Sequence, residues 1–158
     1  MGVMAITIRE WSGSDVDAMA LIMTSHPLWQ HYGVTYKGAR QRLHGLRDED
    51  ESGFVAVDDA GQLRGFVLYN PKTFGFSGYI RFLGVDARSK GQGIGRALVL
   101  RVEADLLARH VNRLTLLCTA WNQSARTFYE KMGFAEVGEL PNWVQPGTTE
   151  VLYAKWLA

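Results

Sequence analysis

The chain has 158 residues, 47% of them hydrophobic and 21% charged, with a formal net charge of +1. That length suits a single domain over residues 1–158 with a sizeable core, and the composition is that of an ordinary globular protein. The near-neutral charge gives nothing for nucleic acid or an anionic membrane surface to hold. The single cysteine excludes an intramolecular disulfide framework and a cysteine-based zinc site, and no apolar stretch approaches the ~20 residues of a spanning helix.

The start, Met1–Ala5, lacks a charged region followed by an apolar one, and Ile6 stands where myristoylation prefers Ser or Thr. A cytoplasmic address is the expectation. Ala5–Trp11 alternates apolar and polar residues and reads as a first strand. Ser14 is the expected N-cap of a helix over Asp15–Thr24, whose Val16, Met19, Ala20 and Met23 fall at helical spacing, and Pro27 ends it. The stretch from Ser25 to Thr35 is rich in aromatics and histidine: His26, Trp29, His31 and Tyr32. Thr35 opens a second helix, Tyr36–Arg47, followed by an acidic, solvated turn at residues 48–53.

Residues 54–57 and 62–69 read as a hairpin about Asp58-Asp59-Ala60-Gly61, broken by Asn70-Pro71-Lys72. A strand over Gly78–Val85 leads into Arg88-Ser89-Lys90-Gly91-Gln92-Gly93-Ile94-Gly95. A helix follows from Arg96 to His110, expected to be covered on more than one side because Leu100 and Leu107 lie off the Ile94–Leu98–Val102–Leu106 face. Arg113–Thr119 is a nearly continuous apolar strand, with Cys118 as a small buried filler. A short helix begins at Asn122, sets Ala125, Phe128, Tyr129 and Met132 on one face, and stops at Gly133 in the C′ position. Strands Phe134–Glu139 and Thr148–Trp156 close the chain. The order β-α-α-β-β-β-α-β-α-β-β is mixed α/β, with antiparallel hairpins first and one βαβ unit in the middle.

The chemistry gathers at the glycine loop. Three glycines at every second position allow a tight turn with exposed N–H groups, and the following helix adds its unpaired N–H groups and positive dipole end. Arg88 and Lys90 lean the field further, so the loop suits a phosphate or pyrophosphate. The plain alternative is a glycine-rich turn with no ligand. The spacing lacks the Gly-Lys-Ser/Thr of a P-loop and differs from the Gly-x-Gly-x-x-Gly of dinucleotide folds.

Residues 85–95 resemble the acetyl-CoA loop of the GCN5-related N-acetyltransferase (GNAT) superfamily, whose Arg/Gln-x-x-Gly-x-Gly/Ala pattern is matched by Arg88-x-x-Gly91-x-Gly93. A second stretch, Asn122-x-x-Ala125-x-x-x-Tyr129-x-x-x-Gly133-Phe134, is similar to the superfamily's second motif, one strand further on. Taken singly, Asn122 reads as an N-cap, Tyr129 as packing and Gly133 as a helix stop; the joint spacing carries the resemblance.

That resemblance implies a GNAT-like fold, a twisted mixed sheet of six to seven strands flanked by about four helices. The sheet would splay between the strands ending at Val85 and Thr119. It implies acetyl-CoA as co-substrate and no metal. The main chain of Leu83 and Val85 would bond pantetheine. Arg88 and the N–H groups of Lys90, Gly91, Gln92, Gly93, Ile94, Gly95 and Arg96 would hold the pyrophosphate. Asn122 would contact pantetheine, and Tyr129 would protonate the departing thiolate. No carboxylate stands where some members carry a basic Glu, since Tyr79 and Arg81 occupy that region. The base is left open among Tyr79, His26, His31, Glu150 and water, with His31 the most suggestive. Trp29, His31, Tyr32 and Tyr79 are the expected acceptor-binding residues. The implied activity is N-acetylation of a primary amine of a small molecule. Acetylation of a protein or peptide N-terminus or lysine is the alternative, and a non-catalytic acyl-CoA-binding regulatory module is a third. A homodimer is compatible with the resemblance; nucleic acid and membrane partners are not expected.

Overall fold

The computed structural model describes residues 5–158; Met1–Met4, where no signal peptide is expected, lie outside the described residues. The elements are β1 (Ile6–Glu10), α1 (Val16–Thr24), α2 (Pro27–His31), α3 (Tyr36–Asp48), β2 (Ser52–Asp58), β3 (Leu63–Thr73), β4 (Ser77–Val85), α4 (Ile94–Ala108), β5 (Arg113–Thr119), α5 (Gln123–Lys131), β6 (Ala135–Pro141) and β7 (Thr149–Trp156). They form a mixed seven-stranded sheet in the order β1-β2-β3-β4-β5-β7-β6. The chain divides into two compact units. One runs to Tyr69 and adds Phe82–Val102, and the other holds Asn70–Arg81 with Glu103–Ala158. β3, β4 and α4 have residues in both.

In the first unit β1 pairs antiparallel with β2 from Ile6↔Asp58 to Glu10↔Phe54, and β2 with β3 from Ser52↔Tyr69 through a bulge at Ala56/Val57. The core gathers Trp11, Val16, Met19, Met23, Trp29, Leu43, Leu46, Phe66 and Leu68, so the alternation of the strands and the helical spacing of α1 and α3 face one another. The start of α1 differs from expectation. Ser12, not Ser14, caps a 3-10 turn over Gly13–Asp15, because the Asp15 carboxylate accepts from the Ser12 N–H at 2.8 Å and is itself gripped by Arg9 at 2.8 Å. Pro27 starts a helix as well as following one. It sits at the first position of α2, where its missing N–H removes no helical bond, and His26 before it is extended, with φ −103° and ψ 130°. Thr35 caps α3 as its sequence position suggests, accepting from the Gly38 N–H at 3.0 Å.

In the second unit β4 runs parallel to β5 over Gly78↔Leu114 to Ile80↔Leu116, while β5 pairs antiparallel with β7 along its whole length. β6 pairs antiparallel with β7 through a bulge at Glu136/Gly138. The parallel ladder ends at Ile80 and Leu116, whereas β4 continues to Val85 and β5 to Thr119. Two details depart from expectation. Asn70-Pro71-Lys72 does not break β3: the last β2–β3 pair is Ser52↔Tyr69, so the absent N–H of Pro71 costs no bond on that side. On α4, Leu100 and Leu107 are 42% and 39% exposed, so the helix buries one stripe and turns these two to solvent. Among the described residues no helix is long and apolar enough to cross a membrane.

Candidate functional site

The glycine loop belongs to the first unit. Asp86 anchors it: its side chain caps the 3-10 turn over Ala87–Ser89 by accepting from the Arg88 N–H at 3.1 Å, and its own N–H donates to the Arg64 carbonyl at 2.8 Å. The Asp86 carboxylate also meets Arg88 at 3.0 Å and Arg64 at 3.4 Å. Its pKa is held below the ordinary carboxylate value by the Arg88 hydrogen bond first, against the opposite pull of burial.

Beyond Lys90 the backbone takes φ +78° at Gly91 and +77° at Gly93, a conformation other residues rarely adopt. A side chain there would meet nothing within 4 Å, so backbone geometry demands glycine and the space above the loop is open. Gly93 accepts the first bond of α4, from the Ala97 N–H at 3.0 Å. An α-helix leaves its first N–H groups without an intrahelical carbonyl, and its dipole favours a negative charge in front of them. Two glycines make this turn, not three, because Gly95 lies inside the first turn of α4 and is not among those with positive φ. Arg88 is 79% exposed and committed to Asp86, which discounts its field, and Lys90 is exposed at the loop.

Leu83 and Val85 lie on β4 either side of Gly84, and Gly84 is packed hard from one face. A Cβ there would stand 2.7 Å from Phe66 Cε1 and 3.1 Å from Trp29 Cη2. Trp29 is 6% exposed, stacked on Phe66 at 6.3 Å and edge-on to Phe82 at 6.4 Å. It is therefore a core residue behind β4. His31, by contrast, is exposed and meets Tyr32 edge-on at 5.1 Å. The three aromatic residues expected to act together thus differ in burial: Trp29 is buried, His31 exposed and Tyr32 half-buried. Tyr79 is half-buried in the second unit, in register with Thr115. His26 stands edge-on to Trp29 at 5.4 Å, and its pKa is lowered by burial and then by the charge of Lys90.

Asn122 and Tyr129 belong to the second unit. Asn122 caps α5, accepting from the Ala125 N–H at 3.4 Å, while its own N–H donates to the Thr119 carbonyl at 2.9 Å. Tyr129 is 8% exposed, with its ring edge-on to Phe128 at 5.2 Å and Phe134 at 5.6 Å and tilted over Tyr153 at 6.3 Å. Burial, then the neighbouring Cys118, pushes its hydroxyl above the ordinary phenol value, so it stays protonated. The helix ends as its spacing suggests: Gly133 has φ +94°, and its N–H and that of Phe134 donate to Glu130 and Tyr129 at 3.0 Å.

Burial, then Glu150, pushes the Cys118 thiol up to about 12, so it is no thiolate nucleophile. Glu150 is 4% exposed and accepts from the Thr119 hydroxyl at 3.2 Å across the β5–β7 ladder. Arg126 fastens α5 to the sheet through the Tyr153 hydroxyl at 3.1 Å and the Ala120 carbonyl at 3.1 Å. Sequence reasoning passed over Gly84 and Ser89. A glycine inside a strand is a signal for close approach, but nothing marked Ser89, which is 1% exposed.

The acetyltransferase (GNAT) family matches residues 16–134. The chain is 37% identical over 88 residues to the 5-NmdU N-acetyltransferase of Pseudomonas phage PaMx11, covering 55% of this chain and 61% of that protein. It is 38% identical over 143 residues to the mycothiol acetyltransferase of Salinispora tropica, covering 82% of this chain and 45% of the relative. The chain thus spans less than two thirds of either curated relative. Its fold is similar to that of Ard1 from Thermoplasma volcanium, with a TM-score of 0.82 and 26% identity over 98% of this chain and 99% of the other. The chain belongs to the acetyltransferase (GNAT) family.

Proposed function

We propose that the chain transfers the acetyl group of acetyl-CoA to a primary amine of a small molecule, by direct attack of the amine on the thioester. The observation that carries this is the loop: Gly91 and Gly93 at positive φ, open space above them, and the start of a 15-residue helix immediately behind. In this reading the N–H groups from Lys90 to Arg96 hold the pyrophosphate, with Arg88 and Lys90 beside it. The main chain of Leu83 and Val85 pairs with pantetheine as with an added strand, and Asn122 contacts it further along. A main-chain N–H near Val85 donates to the oxyanion of the tetrahedral intermediate. Tyr129, kept protonated by burial, gives its proton to the departing thiolate. Cys118 takes no part.

Two names support the acceptor class. The phage relative is by name an N-acetyltransferase, which supports nitrogen as the acceptor atom. The Salinispora relative is by name a mycothiol acetyltransferase, which supports a small acceptor. The experiment is free-thiol release from acetyl-CoA across a panel of small amines and peptides, alongside a titration with CoA. Turnover with a small amine is expected. Turnover with peptides alone would replace the acceptor class, and CoA binding without any turnover would make the chain a binding module.

A further inference from the structure

The reaction needs a group to take a proton from the incoming ammonium, because a protonated amine is not a nucleophile. On the reading above, we infer that His26 is that group, accepting the proton at Nδ1. Four features of the first unit lead there. The extended backbone before Pro27 fixes His26 at the entry to α2, with its ring edge-on to Trp29 at 5.4 Å. Trp29 in turn lies against Gly84, 3.1 Å from where a Cβ would stand, between the two residues assigned to the thioester arm. His26 is therefore one aromatic ring away from the reacting stretch of β4. The Nδ1 atom is buried and has no hydrogen-bond partner among the described residues. A buried acceptor left unmet is unfavourable, and a donor arriving with the substrate removes that cost. The charge of Lys90, on the glycine loop, bears on the imidazole, and the α2 ring against it is the uncharged Trp29. Burial and Lys90 both hold the ring neutral, the state a base requires. His31, which looked the better candidate from sequence, is exposed and turned to Tyr32.

The step balances without further reactants. The ammonium gives one proton to His26 Nδ1. The freed nitrogen pair forms the C–N bond to the acetyl carbon, and the C–S bond breaks with its electron pair on sulfur. Sulfur takes the Tyr129 proton, the second nitrogen proton restores Tyr129, and imidazolium returns its proton to water.

The test is His26→Asn, whose amide can accept a hydrogen bond near the Nδ1 position and cannot take a proton. At neutral pH, kcat/KM for the amine should fall about 10²–10⁴-fold, with the acetyl-CoA titration unchanged. The deficit should close as pH rises toward the amine's own pKa, where free amine needs no base. A packing role alone predicts a deficit that does not change with pH, and that result overturns the inference, as does a variant within about threefold of wild type throughout. The wild-type protein gives a check that no folding defect touches: the ¹⁵N signal of His26 Nδ1 should titrate at the pH of the acidic limb of kcat/KM, and a mismatch overturns the assignment. If wild type binds CoA yet releases no thiol with any amine, the proposed function fails and the inference with it. If wild type is active and the variant normal, only the inference fails.

Discussion

Replacing Tyr129 by Phe removes one hydroxyl and leaves the ring, so it separates the two roles this residue can have. The packing role rests on the ring, whose neighbours at 5.2, 5.6 and 6.3 Å are Phe128, Phe134 and Tyr153. A Phe keeps all three, and stability should change by no more than the ~0.5–1.5 kcal/mol of an ordinary hydrogen bond. The chemical role rests on the hydroxyl. A general acid contributes about 10²–10⁴-fold, which is ~2.7–5.4 kcal/mol of transition-state stabilisation at ~1.36 kcal/mol per tenfold. Because burial raises the Tyr129 pKa, the residue enters every turnover protonated, and the loss should be the same from about pH 6 to pH 9. Single-turnover thiol release is the assay, since slow product release would hide a chemical effect. A Phe variant within about threefold of wild type in that assay would refute the acid role and leave Tyr129 as packing.

Trp29→Ala removes a 6%-exposed side chain that Phe66 and Phe82 enclose, so it should destabilise by about 3–5 kcal/mol and lower Tm by roughly 6–20 °C. A change in the amine KM with normal Tm would instead support Trp29 as part of the acceptor wall. Acid should weaken the fold through Asp15 and Asp86. Burial pushes the Asp15 pKa up, but its bonds to Arg9 and Ser12 outweigh this, and Asp86 is held down chiefly by Arg88. Both folded values lie below the unfolded value of about 3.9, so their stabilisation is complete above that pH and lost as pH falls through the folded values. Urea midpoints from neutral pH downward should show this, and Arg9→Ala should flatten the dependence; a midpoint that rises on acidification contradicts it.

The parts legible in sequence were those where one residue type has one physical reason to be present. Gly91, Gly93 and Gly133 need positive φ, Thr35 and Asn122 cap helices, and the apolar run of β5 needs both faces covered. The parts that were not legible depend on partners distant in sequence. Ser12 caps the first turn because Arg9 holds Asp15 in place. β3 runs through Pro71 because β2 has already ended there, and a five-residue helix such as α2 is too short to show a period. Trp29 was expected to act beside His31 and Tyr32, yet it packs inward on Phe66, while His31 is exposed and Tyr32 half-buried. Adjacent residues on a helix point in different directions, so a cluster in sequence is not a cluster in space.

Binding of CoA through the glycine loop is the claim on which the rest depends, and Gly93→Asp tests it. Gly93 has φ +77° and nothing within 4 Å of a would-be Cβ, so the substitution brings backbone strain and a carboxylate to the place where the pyrophosphate should sit. Calorimetric titration of wild type with CoA should show saturable binding, reduced at least ~100-fold in a variant that far-ultraviolet circular dichroism shows to be folded, a loss of about 2.7 kcal/mol. Equal affinity in wild type and the folded variant, or no binding by wild type, would contradict the account.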